Sequence, residues 1–219
     1  MLGVAKMFII IKIKKRIVIF ILVLFVISVI LWSFRNNVRE FFKISYKNYY
    51  NVEMSFDDVK KLEMNLELID LDYNWSEDLI FNNEPSKIIY HHCARKFWDP
   101  EGINNYHKER GWKGIGYNFY IKKDGRIYLG RPENAEGAHT KGENSNSIGI
   151  CLEGNFEDES LSKEQFESVV KLSTYITLKY DIYKIMGHGD VYETLCPGKN
   201  FPLDEIKKEV VNNIKKNRF

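Results

Sequence analysis

The most prominent hydrophobic pattern is an unbroken apolar run near the amino terminus. Residues 17–34 read IVIFILVLFVISVILWSF without a charge, which at helical rise nearly spans a hydrocarbon core and reads as a transmembrane helix. A buried helix of a globular protein is seldom apolar on every face for so long, and a cleavable signal peptide carries a shorter apolar stretch followed by small residues. Residues 35–84 are polar and aromatic, with no Gly or Pro before Pro85, unlike a flexible Gly/Ser linker. A stalk with some helix is expected there, its start marked by Ser55 and Asp58 and its apolar spacing by Val59, Leu62, Met64, Leu66 and Ile69.

From Pro85 onward, strand-like and helix-like patterns alternate. Lys87-Ile88-Ile89-Tyr90-His91-His92 predicts a strand. Tyr117 to Ile121 and Arg126 to Leu129, separated by Lys123-Asp124-Gly125, predict a hairpin turning at Asp-Gly. Ser147 to Leu152 predicts a further strand. Phe166, Val169, Val170, Leu172, Ile176 and Leu178 recur at helical spacing behind a Ser162/Gln165 capping box, and a shorter helix runs from Leu203 to about Lys216. The acids between Trp98 and Arg110 read as a solvated loop, with Trp98 and Trp112 as candidates to line a groove. The expected fold is α/β, a mixed central β-sheet flanked by helices over residues 85–219. It is preceded by a basic tail (1–16), the transmembrane helix (17–34) and the stalk (35–84).

A length of 219 residues fits one ordinary domain plus an appendage. Net charge is +2, with acids and bases mixed, so the basic face that phosphate backbones require is missing and nucleic acid is excluded as a partner. Three cysteines do not make a disulfide framework. Cys93 and Cys151 read as buried apolar thiols, whereas Cys196 stands in a motif of its own.

That motif is His188-Gly189-Asp190-Val191-Tyr192-Glu193-Thr194-Leu195-Cys196-Pro197-Gly198. Zinc takes imidazole nitrogen and thiolate sulfur, and catalytic sites use three protein ligands with a fourth position left to water. His91, His188 and Cys196 would supply such a set: a strand holds the first, a loop folds back with the others, and Pro197-Gly198 fixes the turn that aims the thiolate. His92 reads as structural. Asp190 reads either as a partner of a ligand histidine or as a loop-stabilising acid.

Five segments, Ile89-Tyr90-His91-His92, Gly116-Tyr117-Asn118-Phe119, Gly137-Ala138-His139-Thr140-Lys141-Gly142, Ser147-Ile148-Gly149-Ile150 and Gly187-His188 through Cys196-Pro197-Gly198, occur in a telling order. Together they resemble the type 2 N-acetylmuramoyl-L-alanine amidases, a superfamily that includes peptidoglycan recognition proteins and amidase-type phage lysozymes. The resemblance covers about residues 85–210. It implies zinc ligands at His91, His188 and Cys196, catalytic roles for Tyr117 and Thr194, and a place beside the substrate groove for His139. Thr194 reads equally as a turn residue bonding its own loop. Gly189 stands where many relatives have Arg, and Cys93 where a hydroxyl residue is usual.

Three readings follow. The first is zinc-dependent hydrolysis of the amide between N-acetylmuramic acid and L-alanine in peptidoglycan. The second is a non-catalytic peptidoglycan-binding module, from which the presence of Cys196 as third ligand separates the enzyme. The third is a structural zinc site closed by Cys93, which lies two residues along the strand from His91 and so on the same face. The dense cluster from Lys12 to Arg16 favours an inside amino terminus. Peptidoglycan lies outside, so the expected placement is single-pass in the cytoplasmic membrane with the catalytic domain extracytoplasmic.

Overall fold

The computed structural model describes residues 18, 20–34, 56–182 and 184–216. The chain divides into two compact units, Met1–Tyr46 and Lys47–Phe219. In the first, residues 20–34 form an exposed apolar helix. The expected single-pass membrane placement is overturned: among the described residues no helix is long and apolar enough to cross a membrane. The membrane as a partner and the outward-facing orientation fall with it. Residues 17 and 19, the tail 1–16 and the stalk up to Ser55 lie outside the described residues.

The second unit runs α1 (Phe56–Met64), β1 (Lys87–His92), α2 (Pro100–Glu109), β2 (Phe119–Ile121), β3 (Ile127–Leu129), β4 (Ile148–Leu152), α3 (Lys163–Tyr180), β5 (Lys184–Gly187), a 3-10 turn (His188–Asp190) and α4 (Leu203–Lys216). The sheet is mixed, in the order β3-β2-β4-β1-β5. β1 lies parallel to β4 and β5, β2 is parallel to β4, and β3 returns antiparallel to β2. The hairpin closes as the Asp-Gly pattern predicts, with Gly125 at a φ of 84° that favours glycine.

Strand alternation sorts the side chains onto two faces. Ile88 and Tyr90 of β1, Phe119 and Ile121 of β2, and Ile148, Ile150 and Leu152 of β4 enter the main core with α3 and α4. Tyr120 and Cys151 turn to the opposite face, where they meet Cys93, Ile103 of α2 and Ile115. His91 lies opposite Cys151, which in turn lies opposite Tyr120. The histidine thus sits in a row across the sheet on the side away from α3 and α4.

Two elements differ from the sequence expectation. The segment read as a solvated loop is α2, whose Asp99 caps it by accepting from Gly102 N at 2.7 Å, with Pro100 in the first turn. The segment read as stalk packs on the domain from Phe56 onward: Leu62 and Leu66 are core residues, and Ile69 exchanges backbone hydrogen bonds with Ile127 and Leu129 at 2.9 and 2.8 Å.

Candidate functional site

The register of β1 and β5 builds the site. Tyr90 is paired with Gly187, so the next residue of each strand, His91 and His188, emerges side by side at the carboxyl edge of neighbouring parallel strands. Open α/β sheets place their ligand sites at such edges. The two rings lie 4.5 Å apart between centroids. The loop then folds back: Gly189 N donates to Cys196 O at 2.7 Å, Gly198 N to Leu195 O at 2.7 Å, and Asp190 Oδ2 accepts from Gly187 N at 2.8 Å. Asp190 is therefore a loop-stabilising acid. Cys196 Sγ is brought to 3.7 Å from His91 Nδ1 and accepts from His92 N at 3.4 Å.

Donor atoms of His91, His188 and Cys196 all lie within 4.8 Å of one another. In a tetrahedral zinc site the edge between an imidazole nitrogen and a thiolate is about 3.6 Å, given bonds of about 2.05 and 2.3 Å, so the observed 3.7 Å between His91 and Cys196 fits such an ion. Burial holds both imidazoles below their ordinary range, His91 well below it with His139 and His188 adding to the effect. Both are thus neutral, the state in which imidazole ligates metal. Burial likewise pushes the Cys196 thiol up to about 12, against the pull of the His92 N–H.

Cys93 takes no part in this cluster. Its sulfur donates to Arg95 O at 3.2 Å and accepts from Gly154 N at 3.3 Å, which leaves three converging ligand atoms instead of a closed set of four.

Tyr117 is half-buried, its ring 5.1 Å from that of His91 and 5.5 Å from that of His107. Burial first, then the thiols of Cys151 and Cys196, push its phenol well above the usual range, so it is protonated at neutral pH. Thr194 is exposed, and its Oγ1 accepts from Cys196 N at 3.2 Å within the loop. His139, expected beside the groove, is 8% exposed, with Nδ1 at 3.1 Å from His91 Nε2. His92 is structural as expected, its Nδ1 accepting from Phe156 N at 3.2 Å.

His107 was not singled out from the sequence. It is buried on α2, accepts from Gly116 N at 3.0 Å, and packs its ring between Trp112 and Tyr117. Ile103 and His107 recur four residues apart behind the Asp99-Pro100 start, a helical signal that would have pointed to it.

The family model for N-acetylmuramoyl-L-alanine amidase matches residues 81–199, more than half of the chain. The chain belongs to this family. It is 35% identical over 139 residues to the endolysin of Escherichia phage T7, covering 59% of this chain and 92% of that protein. Among solved structures, the Clostridium intestinale endolysin LysCS, an N-acetylmuramoyl-L-alanine amidase, is 46% identical with a TM-score of 0.65, over 65% of this chain and 94% of its own. A Drosophila PGRP-LB variant in complex with tracheal cytotoxin is 29% identical with a TM-score of 0.59, over 64% of this chain and 93% of its own. The amidase family places peptidoglycan amide hydrolysis as the activity to which this site is related.

Proposed function

We propose that the protein is a zinc-dependent N-acetylmuramoyl-L-alanine amidase that cleaves the amide between N-acetylmuramic acid and L-alanine in peptidoglycan, in lysis or remodelling of the cell wall. The observation that carries this reading is the convergence of two imidazoles and one thiol, with no fourth protein ligand among the described residues, at the carboxyl edge of the sheet. His91, His188 and Cys196 would hold the ion, whose chemistry is to polarise the scissile carbonyl and to lower the pKa of water at that position.

The chain's own residues supply the rest. Tyr117, protonated and packed against His91, donates its phenolic hydrogen to the oxygen of the carbonyl as negative charge builds there. His107 packs against the ring, 5.5 Å between centroids, and Trp112 packs against His107 in turn. Thr194 acts through the loop: by accepting the Cys196 N–H it holds the segment from which the thiol projects. Burial of His91 keeps its imidazole neutral and excludes water from behind the ligand.

Cys196→Ser and His188→Ala in the full chain are expected to lose both stoichiometric zinc and hydrolysis, because two protein ligands rarely hold zinc tightly. Zinc content by atomic emission and release of stem peptide check this, and wild-type turnover in either variant would reject the site. Retained binding to peptidoglycan with no hydrolysis by the wild type would instead favour the recognition-module reading.

A further inference from the structure

His139 lies behind the ligand set, and two glycines make room for it. A Cβ on Gly149 would stand 2.5 Å from His139 Cδ2 and one on Gly137 2.6 Å from it, so any side chain at either place would drive the ring from its seat. The loop that carries it is locked as well, since Asn144 Oδ1 accepts from both His139 N and Thr140 N at 2.9 Å.

His91 Nδ1 faces Cys196 Sγ at 3.7 Å, so as a metal ligand it would present its lone pair there and carry its proton on Nε2. That N–H is buried and needs an acceptor, because an unpaired buried donor is costly. His139 Nδ1 stands at 3.1 Å from it, and Thr140 Oγ1 lies 3.4 Å from the same His91 Nε2 and 3.0 Å from His139 Nδ1. On its far side His139 Nε2 faces Ser147 Oγ at 3.4 Å, and the serine hydroxyl donates to Glu143 O at 2.6 Å.

We propose that His139 is a positioning residue for His91, accepting its Nε2 proton so that Nδ1 stays aimed at the point shared with His188 and Cys196. Outer-shell acceptors of this kind fix a ligand imidazole's tautomer and angle, and removing one costs about 10- to 100-fold in metal affinity. The assignment rests on the metal reading above. It gives the glycines of two separate motifs one shared purpose, to seat this ring.

The test is zinc affinity of the full chain, by competition with a chromophoric chelator, alongside the melting midpoint of the metal-free protein. His139→Leu is expected to weaken zinc binding about 10- to 100-fold, and His139→Gln, whose Oε1 can accept the same proton, to lose less. Gly137→Ala, which touches no ligand, should weaken binding in the same direction by displacing the ring. A purely structural role would instead lower the metal-free midpoint and leave affinity unchanged. A wild-type chain that takes up no zinc would reject the metal reading itself. Zinc binding by the wild type with equal affinity in His139→Leu would overturn the positioning role. Should His139→Leu not fold, wild-type affinity in both His139→Gln and Gly137→Ala would overturn it as well.

Discussion

Tyr117 sits between two buried histidines, with ring centroids 5.1 Å from His91 and 5.5 Å from His107. Its hydroxyl is expected to act mainly in the transition state, so Tyr117→Phe should lower kcat by about 10- to 1000-fold with zinc content unchanged. Thr194→Ala, which removes only a loop hydrogen bond, should cost less than about tenfold; steady-state kinetics on the two variants separates the roles. His107 carries a pH prediction. Burial, with Arg110 and Arg131 adding, holds its imidazole down to about 4, so the unfolded chain takes up the proton first as pH falls. Its stabilising contribution is whole above pH 6.5 and is lost as pH drops toward 4, the loss reaching about 2 kcal/mol at pH 5. His107→Gln keeps an acceptor for Gly116 N and removes the titration, so urea melts should show a flatter loss of stability between pH 7 and 5. An equal slope in both proteins would mean that His107 contributes nothing to it. At this scale the clustering of His188 and Cys196 with His91 was legible because His and Cys in a turn-forming segment have few other uses, and His91 stood out as a histidine on a strand. His139 was legible as a motif residue but not as the neighbour of His91, because that contact depends on where two glycines let a ring sit.

Helix α3 is the element whose sequence and structure agree most fully. Ser162 Oγ accepts from Gln165 N at 3.0 Å, Gln165 Oε1 accepts from Ser162 N at 3.4 Å, and the same serine hydroxyl donates to Lys123 O at 2.5 Å. The cap therefore also ties the helix to the hairpin. Ser162→Ala should cost about 1–2 kcal/mol of unfolding free energy, measured by the denaturation midpoint, with hydrolysis at low denaturant unaffected. β1, β4 and the hairpin were readable from alternation and an Asp-Gly turn. β5 was not, because Lys184–Gly187 has only four residues, too few for a period to emerge, and it is a strand by virtue of pairing with β1. Yet β5 matters most to the site, since its register sets His188 beside His91. α2 was hidden by its acids and amides, which made an amphipathic helix look like a polar loop.

At the scale of the molecule, the neighbouring parallel strands β1 and β5 and the returning 189–198 loop bring His91 together with His188 and Cys196, about a hundred positions further along the chain. Sequence order alone could name these residues, but only the sheet order makes them neighbours. The apolar run near the amino terminus led the other way. Its composition suggested a span, while among the described residues no helix is long and apolar enough to cross a membrane. The domain also begins earlier than its first strand, because the chain from Phe56 to Asn83 is pinned to the sheet and its loops. The central claim is tested most directly by digesting purified peptidoglycan with the full-length protein and analysing the soluble products by mass spectrometry, with and without a zinc chelator. The account predicts free stem peptides beginning in L-alanine, together with glycan chains bearing intact lactyl groups, and their loss on chelation with recovery on adding zinc. Products cut within the glycan or within the peptide, or release that persists after the metal is removed, would contradict it.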